Sequence, residues 1–263
     1  MVIRVTRAFP RWPLVKQLAL LLRRAAVRSL DGPVDSTLWG HRLRFLPRRN
    51  ISERRLLFMP TGWDAQERAL LDRILEPGTV FLDVGCNFGG YTWWVLSRLG
   101  RNCTVVALEP DPELHARLRF NLVTNGLDHV RTLASAVGEK EGRAMLHIHG
   151  TNRGENTLLE LAEGIESDAV EVPVRPLEAL AREEGLERID ILKMDIEGME
   201  PKVLRAFFES DPGPLRPRWI FCETKDTPDY RELETLLENQ GYSVVLRTRL
   251  NMALQRVGSP RSP

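Results

Sequence analysis

The sequence predicts an α/β domain: a mostly parallel sheet of seven strands with helices on both faces. Two observations predict it. From residue 79 onward, short apolar runs alternate with segments of helical period, the pattern of the strand–helix–strand units that build parallel sheets. The first run, Thr79–Val84 (TVFLDV), is almost continuously apolar and ends at Gly85, as a strand buried on both faces should.

The elements follow in order. Residues 1–55 hold thirteen Lys/Arg and three Asp/Glu, a net +10, while the whole chain, with 37 basic and 36 acidic residues, is nearly neutral. Residues 1–60 are therefore expected to form a basic N-terminal helical arm. Within it Leu14, Leu18, Leu21, Leu22 and Ala25 recur at helical spacing. Packing on the main domain is the favoured use of that stripe; peripheral contact with an anionic membrane surface is the second. The basic residues are spread rather than clustered, so a nucleic-acid partner is not implied. Residues 61–257 are expected to form the α/β domain, and the Pro/Ser-rich residues 258–263 a disordered tail.

Within the domain, Thr79–Val84 is strand one and Tyr91–Leu99 its helix. Thr104–Leu108 is strand two, and Pro112–Asn125 a helix with Leu114, Leu118 and Leu122 on one face, closed by Gly126. Val130–Val137 reads as a third strand. Arg143–His149 and Val170–Val174 alternate like antiparallel strands around a long loop. Leu177–Glu184 is a helix, Ile189–Met194 a fourth core strand and Lys202–Glu209 its helix. Trp219–Cys222 is the fifth strand and Tyr230–Asn239 the last helix. Ser243–Leu246 and Met252–Gln255 close the sheet as a hairpin. Cys86, Cys103 and Cys222 lack CxxC spacing, which reads as buried thiols of a reducing, cytoplasmic compartment. No run of about 18 uncharged apolar residues exists to span a membrane.

Ligands of such folds bind beyond the carboxyl ends of the strands. The turn there is Asp83-Val84-Gly85-Cys86-Asn87-Phe88-Gly89-Gly90. Gly85 permits a tight turn and Gly89 close approach of a ligand. Asn87 stands where a dinucleotide fingerprint needs its second glycine, next to the pyrophosphate. That opposes a nicotinamide cofactor and suits a ligand without phosphates, its amino-acid part bonded by Asp83, Asn87 and loop amides. Glu109 ends strand two, where a carboxylate accepts from both ribose hydroxyls. Ser135 and Ala136, closing strand three, offer an amide and a small side chain to an adenine edge.

At the mouth of strand four stands Lys193-Met194-Asp195-Ile196-Glu197-Gly198-Met199-Glu200. A lysine ending an apolar strand needs a partner, and Asp195, Glu197 and Glu200 are near in sequence. Group transfer to a hydroxyl needs an aligned lone pair and removal of the proton. Asp195, Lys193 or Glu223, which ends strand five, can take that proton. Asp195 with Glu223 can instead hold a divalent cation through oxygen ligands; an ion-pair knot without catalytic use is the third reading. His147 and His149 share a strand face without a third ligand, which reads as structural or substrate-lining rather than as a zinc site. The loop Gly150–Leu158 (GTNRGENTL) reads as an acceptor lid.

FLDVGCNFGGYT, VVALEPDPE, ASAVGEKEG and IDILKMDIEGMEPKVL resemble successive blocks of the FkbM-type methyltransferase family, over about residues 79–225. The resemblance implies a Rossmann-like class I methyltransferase fold, S-adenosylmethionine as donor, and a small-molecule acceptor methylated on oxygen, a sugar or natural product. Cys86 stands where many relatives carry alanine, a small-for-small change. Methylation of nitrogen, or of protein or RNA, rests only on the basic arm. A non-catalytic nucleoside-binding scaffold is opposed by the charges at the strand mouth. Oligomeric state and the acceptor's identity are not legible.

Overall fold

The computed structural model describes residues 23, 25–30, 32–150, 152–159 and 168–258. The apolar stripe of residues 14–25 and the tail 259–263 fall almost wholly outside them. Among the described residues no helix is long and apolar enough to cross a membrane.

From residue 34 the chain forms a hairpin, β1 (Val34–Leu38) and β2 (His41–Phe45), and two helices, α1 (Ile51–Phe58) and α2 (Ala65–Ile74). Then come β3 (Thr79–Val84), α3 (Gly90–Leu99), β4 (Cys103–Leu108), α4 (Pro112–Thr124) and β5 (Arg131–Leu133). Three strands follow outside the main sheet: β6 (Ala136–Gly138), β7 (Gly142–Ile148) and β8 (Asp168–Pro176). The second half runs α5 (Leu177–Glu183), β9 (Ile191–Met194), α6 (Glu200–Glu209), β10 (Trp219–Glu223), α7 (Pro228–Asn239), β11 (Tyr242–Arg247) and β12 (Asn251–Arg256).

The main sheet has seven strands in the order β11-β12-β10-β9-β3-β4-β5. β5, β4, β3, β9 and β10 run parallel, and β12 lies antiparallel between β10 and β11. This is the mostly parallel, Rossmann-like sheet expected. Alternation along the strands supplies two cores. Phe81 and Ile191 join Trp93 and Leu118 on one face; Val80, Leu82, Leu192 and Ile220 join Leu180, Leu204 and Leu233 on the other. The order reverses between β3 and β9, whose register sets Asp83 beside Lys193. That pair marks the crevice where such folds take ligands.

Two expectations need correction. Residues 34–58 are not a separate arm. Leu38, Leu43, Phe45, Leu56, Leu57 and Phe58 belong to the same core as Trp93, and Phe45 packs on Phe88 at 4.8 Å. The amides of Arg42 and Arg44 donate to Asn125 and Asn121, at the end of α4 and within it, both at 2.8 Å. Buried Glu53 of α1 pairs with buried Arg117 of α4. Second, Val130–Val137 is not one strand. β5 ends at Leu133, while β6 pairs with β8 in a separate three-stranded sheet, order β6-β8-β7. Ala134 and Ser135 carry the chain from one sheet to the other. The Ser135 hydroxyl lies within donating distance of the carbonyls of Ala136 (2.9 Å) and Pro173 (3.2 Å), which ties the crossing to β8.

Candidate functional site

A cavity of about 530 Å³ opens at the carboxyl ends of β3, β4, β9 and β10. Asp83, Gly85, Asn87, Glu109, Ser135, Ala136, Lys193, Asp195 and Glu223 all line it. Gly89 does not. A side chain at Gly89 would strike Leu118 at 2.8 Å, so this glycine serves packing of the loop on α4 rather than approach of a ligand.

One end of the cavity, expected to hold the donor, is built by the β3–α3 loop. Gly85 has φ +71, and a Cβ there would lie 1.9 Å from the carbonyl oxygen of Asp195. Only glycine lets the β3 and β9 ends approach this closely. Asn87, also left-handed at φ 56, donates its amide to Glu109 at 2.7 Å. Its side-chain oxygen accepts from the Phe88 amide and from Asn50 at the start of α1. Glu109 is 5% exposed and accepts from the amides of Asn87 and Asp111. Each carboxylate oxygen retains a lone pair for a ribose hydroxyl. Burial pushes the Glu109 carboxyl up to about 8.

Asp83 lines the cavity as well. It is 2% exposed and accepts from both the amide and hydroxyl of Thr92. Both bonds fall on Oδ2 and hold the first turn of α3. Burial pushes the Asp83 carboxyl up to about 6.

The β7–β8 loop roofs the donor end. Arg153 forks onto Asp111 and Glu113 at the start of α4. Asn152 accepts from the Ile51 amide at 2.9 Å, and the Thr157 hydroxyl donates to the Glu197 carbonyl at 3.2 Å. Residues 152–156 and Leu158 line the cavity. His147 and His149 lie outside the lining; the ring of His149 accepts from the Asn152 amide.

The chemical end gathers charges at the mouths of β9 and β10. Lys193 is 2% exposed, lies 3.5 Å from Asp195 and sits over the Tyr91 ring at 5.1 Å. Burial alone would lower its pKa, but Asp195, Asp64 and Asp83 together hold it above the usual lysine value. The Asp195 side chain is 45% exposed, facing the cavity. Lys225 pairs with Glu223 at 2.8 Å and Glu197 at 3.7 Å. Burial, then the neighbouring Asp195 and Glu223 carboxylates, pushes Glu197 up to about 8. Glu200 is fully buried and accepts from the amides of Ile196 and Gly198 and from the Tyr230 hydroxyl. These bonds shape the Asp195–Gly198 turn.

Asp195, Glu200 and Glu223 place one carboxylate oxygen each within 4.8 Å of the others. They do not fit a resident divalent cation. Glu200 already accepts three hydrogen bonds, and Lys193 and Lys225 neutralise the other two acids. A dication here would face two ammonium groups at close range.

Arg55, Trp63, Asp64, Tyr91, Lys225 and Arg249 also line the cavity. Tyr91 comes from α3 and Lys225 from the end of β10; no spacing in the sequence marks Arg55, Trp63, Asp64 and Arg249, which tertiary packing of α1, α2 and the β11–β12 turn brings in.

A family model described as the methyltransferase FkbM domain matches residues 83–244. The 2-O-methyltransferase NoeI of Sinorhizobium fredii is 28% identical over 184 residues, spanning 65% of this chain and 73% of that protein. The 31-O-demethyl-FK506 methyltransferase FkbM of Streptomyces tacrolimicus is 30% identical over 199 residues, spanning 65% and 75%. Among solved structures, a methyltransferase from Geobacter sulfurreducens covers 97% of this chain and 94% of its own, at 15% identity and a TM-score of 0.46.

Proposed function

Because this chain belongs to the FkbM methyltransferase family, which implies S-adenosylmethionine as donor, we propose that it methylates a hydroxyl oxygen on a small metabolite, sugar or natural product. The observation that carries this reading is the half-exposed Asp195 carboxylate beside buried Lys193, at the strand mouths of the cavity. The donor supplies an electrophilic methyl group. Glu109 suits its ribose, and Ser135 and Ala136 its adenine edge. Asp195 accepts the acceptor's hydroxyl proton, and base catalysis of this kind is worth about 10²–10⁴-fold. Lys193 holds Asp195 in place, while Glu223 and Lys225 bind further polar groups of the acceptor. Two of the similar proteins carry oxygen methylation in their names, which supports the same reading.

The test is incubation with a carbon-13-methyl donor and a small-molecule extract, with products read by mass spectrometry and NMR. The expected product carries the label as an O-methyl group, formed equally with and without chelator. Label on nitrogen, on protein or on RNA would contradict the reading, and loss of activity in chelator would restore the cation.

A further inference from the structure

One pair of cavity charges has no part in the acceptor chemistry. Arg55 of α1 and Asp64, which precedes α2, face the same cavity with Nη2 and Oδ1 3.7 Å apart. We propose that this pair is the receptor for the α-amino-acid end of the methyl donor, Arg55 taking its carboxylate and Asp64 its ammonium.

The placement supports this. Trp63 packs so closely on Gly90 that a Cβ there would meet its ring at 2.7 Å. The next residue, Asp64, is thereby held beside the first turn of α3, immediately after the glycine loop. The Tyr91 hydroxyl donates to its other carboxylate oxygen at 3.0 Å. Asp64 has φ 37, an uncommon conformation for a residue other than glycine and of the kind that tends to occur where a site demands it. A donor with its ribose on Glu109 at the end of β4 extends across Gly85 at the end of β3, toward these two residues.

The chemistry is complementary. An α-amino acid presents one positive and one negative group side by side, and Arg55 and Asp64 present the reverse. At 3.7 Å they are beyond hydrogen-bond length, so the guanidinium fork keeps donors for a carboxylate. Three other cations of the cavity are engaged. Arg153 is held by Asp111 and Glu113, Lys193 by Asp195, and Lys225 by Glu223. Arg249, on the turn between β11 and β12, also lines the cavity. Asp83, the acid that the sequence offers for the amino group, is 2% exposed and accepts from Thr92 through Oδ2. Both proposed residues precede the family-matched segment 83–244, so the region before it completes the donor site. The proposal rests on the donor's identity and stands whatever the acceptor is.

Calorimetry on the full chain decides it, using S-adenosylhomocysteine and methylthioadenosine, which keeps the nucleoside and thioether but lacks the amino acid. Arg55→Gln and Asp64→Asn should each weaken S-adenosylhomocysteine by about tenfold to a hundredfold, the loss of charge-assisted hydrogen bonds. Methylthioadenosine should bind the variants as it binds the wild type. Asparagine tolerates the left-handed backbone of position 64, and Arg55→Lys, which keeps charge but not the fork, replaces Arg55→Gln if circular dichroism shows the latter unfolded. Unchanged S-adenosylhomocysteine affinity would overturn the proposal. Equal losses for both ligands would overturn it too, because the residues would then shape the cavity without meeting the amino acid.

Discussion

Gly85→Ala should lower thermal stability and reduce S-adenosylhomocysteine affinity by at least about a hundredfold, the loss of roughly two charge-assisted hydrogen bonds. Two effects combine at this position. The backbone has φ +71, and the added Cβ would sit 1.9 Å from the Asp195 carbonyl. The conformation alone costs about 1–3 kcal/mol for a side-chain-bearing residue. The clash is with backbone, so no rotamer change relieves it; the end of β3 and the turn after β9 must separate. That separation displaces the loop amides and Asp195 together. A total near ~3 kcal/mol corresponds to a fall in Tm on the order of 10 °C for a domain of this size. Gly78→Ala is the control. Gly78 has φ +86 but open space around its Cβ position, so it shows the backbone strain alone. Equal destabilisation by the two substitutions, with donor binding intact in both, would show that close approach at Gly85 is unimportant.

Asp195→Asn should slow methyl transfer by about a hundredfold, within the range typical of a lost general base, while donor affinity changes little. The amide keeps the shape and removes the charge. Donor affinity is spared because Glu109, Arg55 and Asp64 lie on other elements. Single-turnover kinetics with the labelled donor, alongside calorimetry, separate the two quantities. If Asp195 merely neutralises Lys193, a different pattern results. The variant would stay active but melt earlier, and Lys193→Met combined with it would recover the loss, since the buried ammonium would no longer stand without its partner.

The sheet is legible in the sequence because its core strands are buried on both faces and read as apolar runs between helical segments, as in Thr79–Val84 and Trp219–Cys222. Glu109, Lys193, Asp195 and Glu223 are legible for a related reason: a charge at the end of an apolar strand stands out, and strand ends converge in this architecture. Where packing decides, the sequence is mute. Arg42 and Arg44 alternate with buried Leu43 and Phe45, but their charge makes the hairpin look like an arm. The run Val130–Val137 conceals a change of sheet, because both halves are apolar at their ends and only hydrogen-bond partners separate them. Gly89 reads as a ligand contact, yet Leu118 on another helix explains it. Arg55 and Asp64 carry no motif; α1 and α2 bring them to the cavity.

The central claim is that the donor is seated by Glu109 at the end of β4. Titration of S-adenosylhomocysteine into wild type and Glu109→Gln between about pH 7 and 9.5 tests it most directly, since that range brackets the shifted carboxyl. Burial holds the ligand-free carboxyl at about 8, whereas ribose hydroxyls donate to its ionised form. Below that value the proton must first be lost, so the affinity of the wild type relative to Glu109→Gln should rise with pH toward about 8, by up to about tenfold per unit, while loss of the ligand's ammonium proton at higher pH weakens both proteins alike. Glutamine imitates the neutral acid, so the variant should bind about tenfold to a hundredfold more weakly at about pH 9 and show no such rise. Equal affinities for the two proteins across this range would contradict the account.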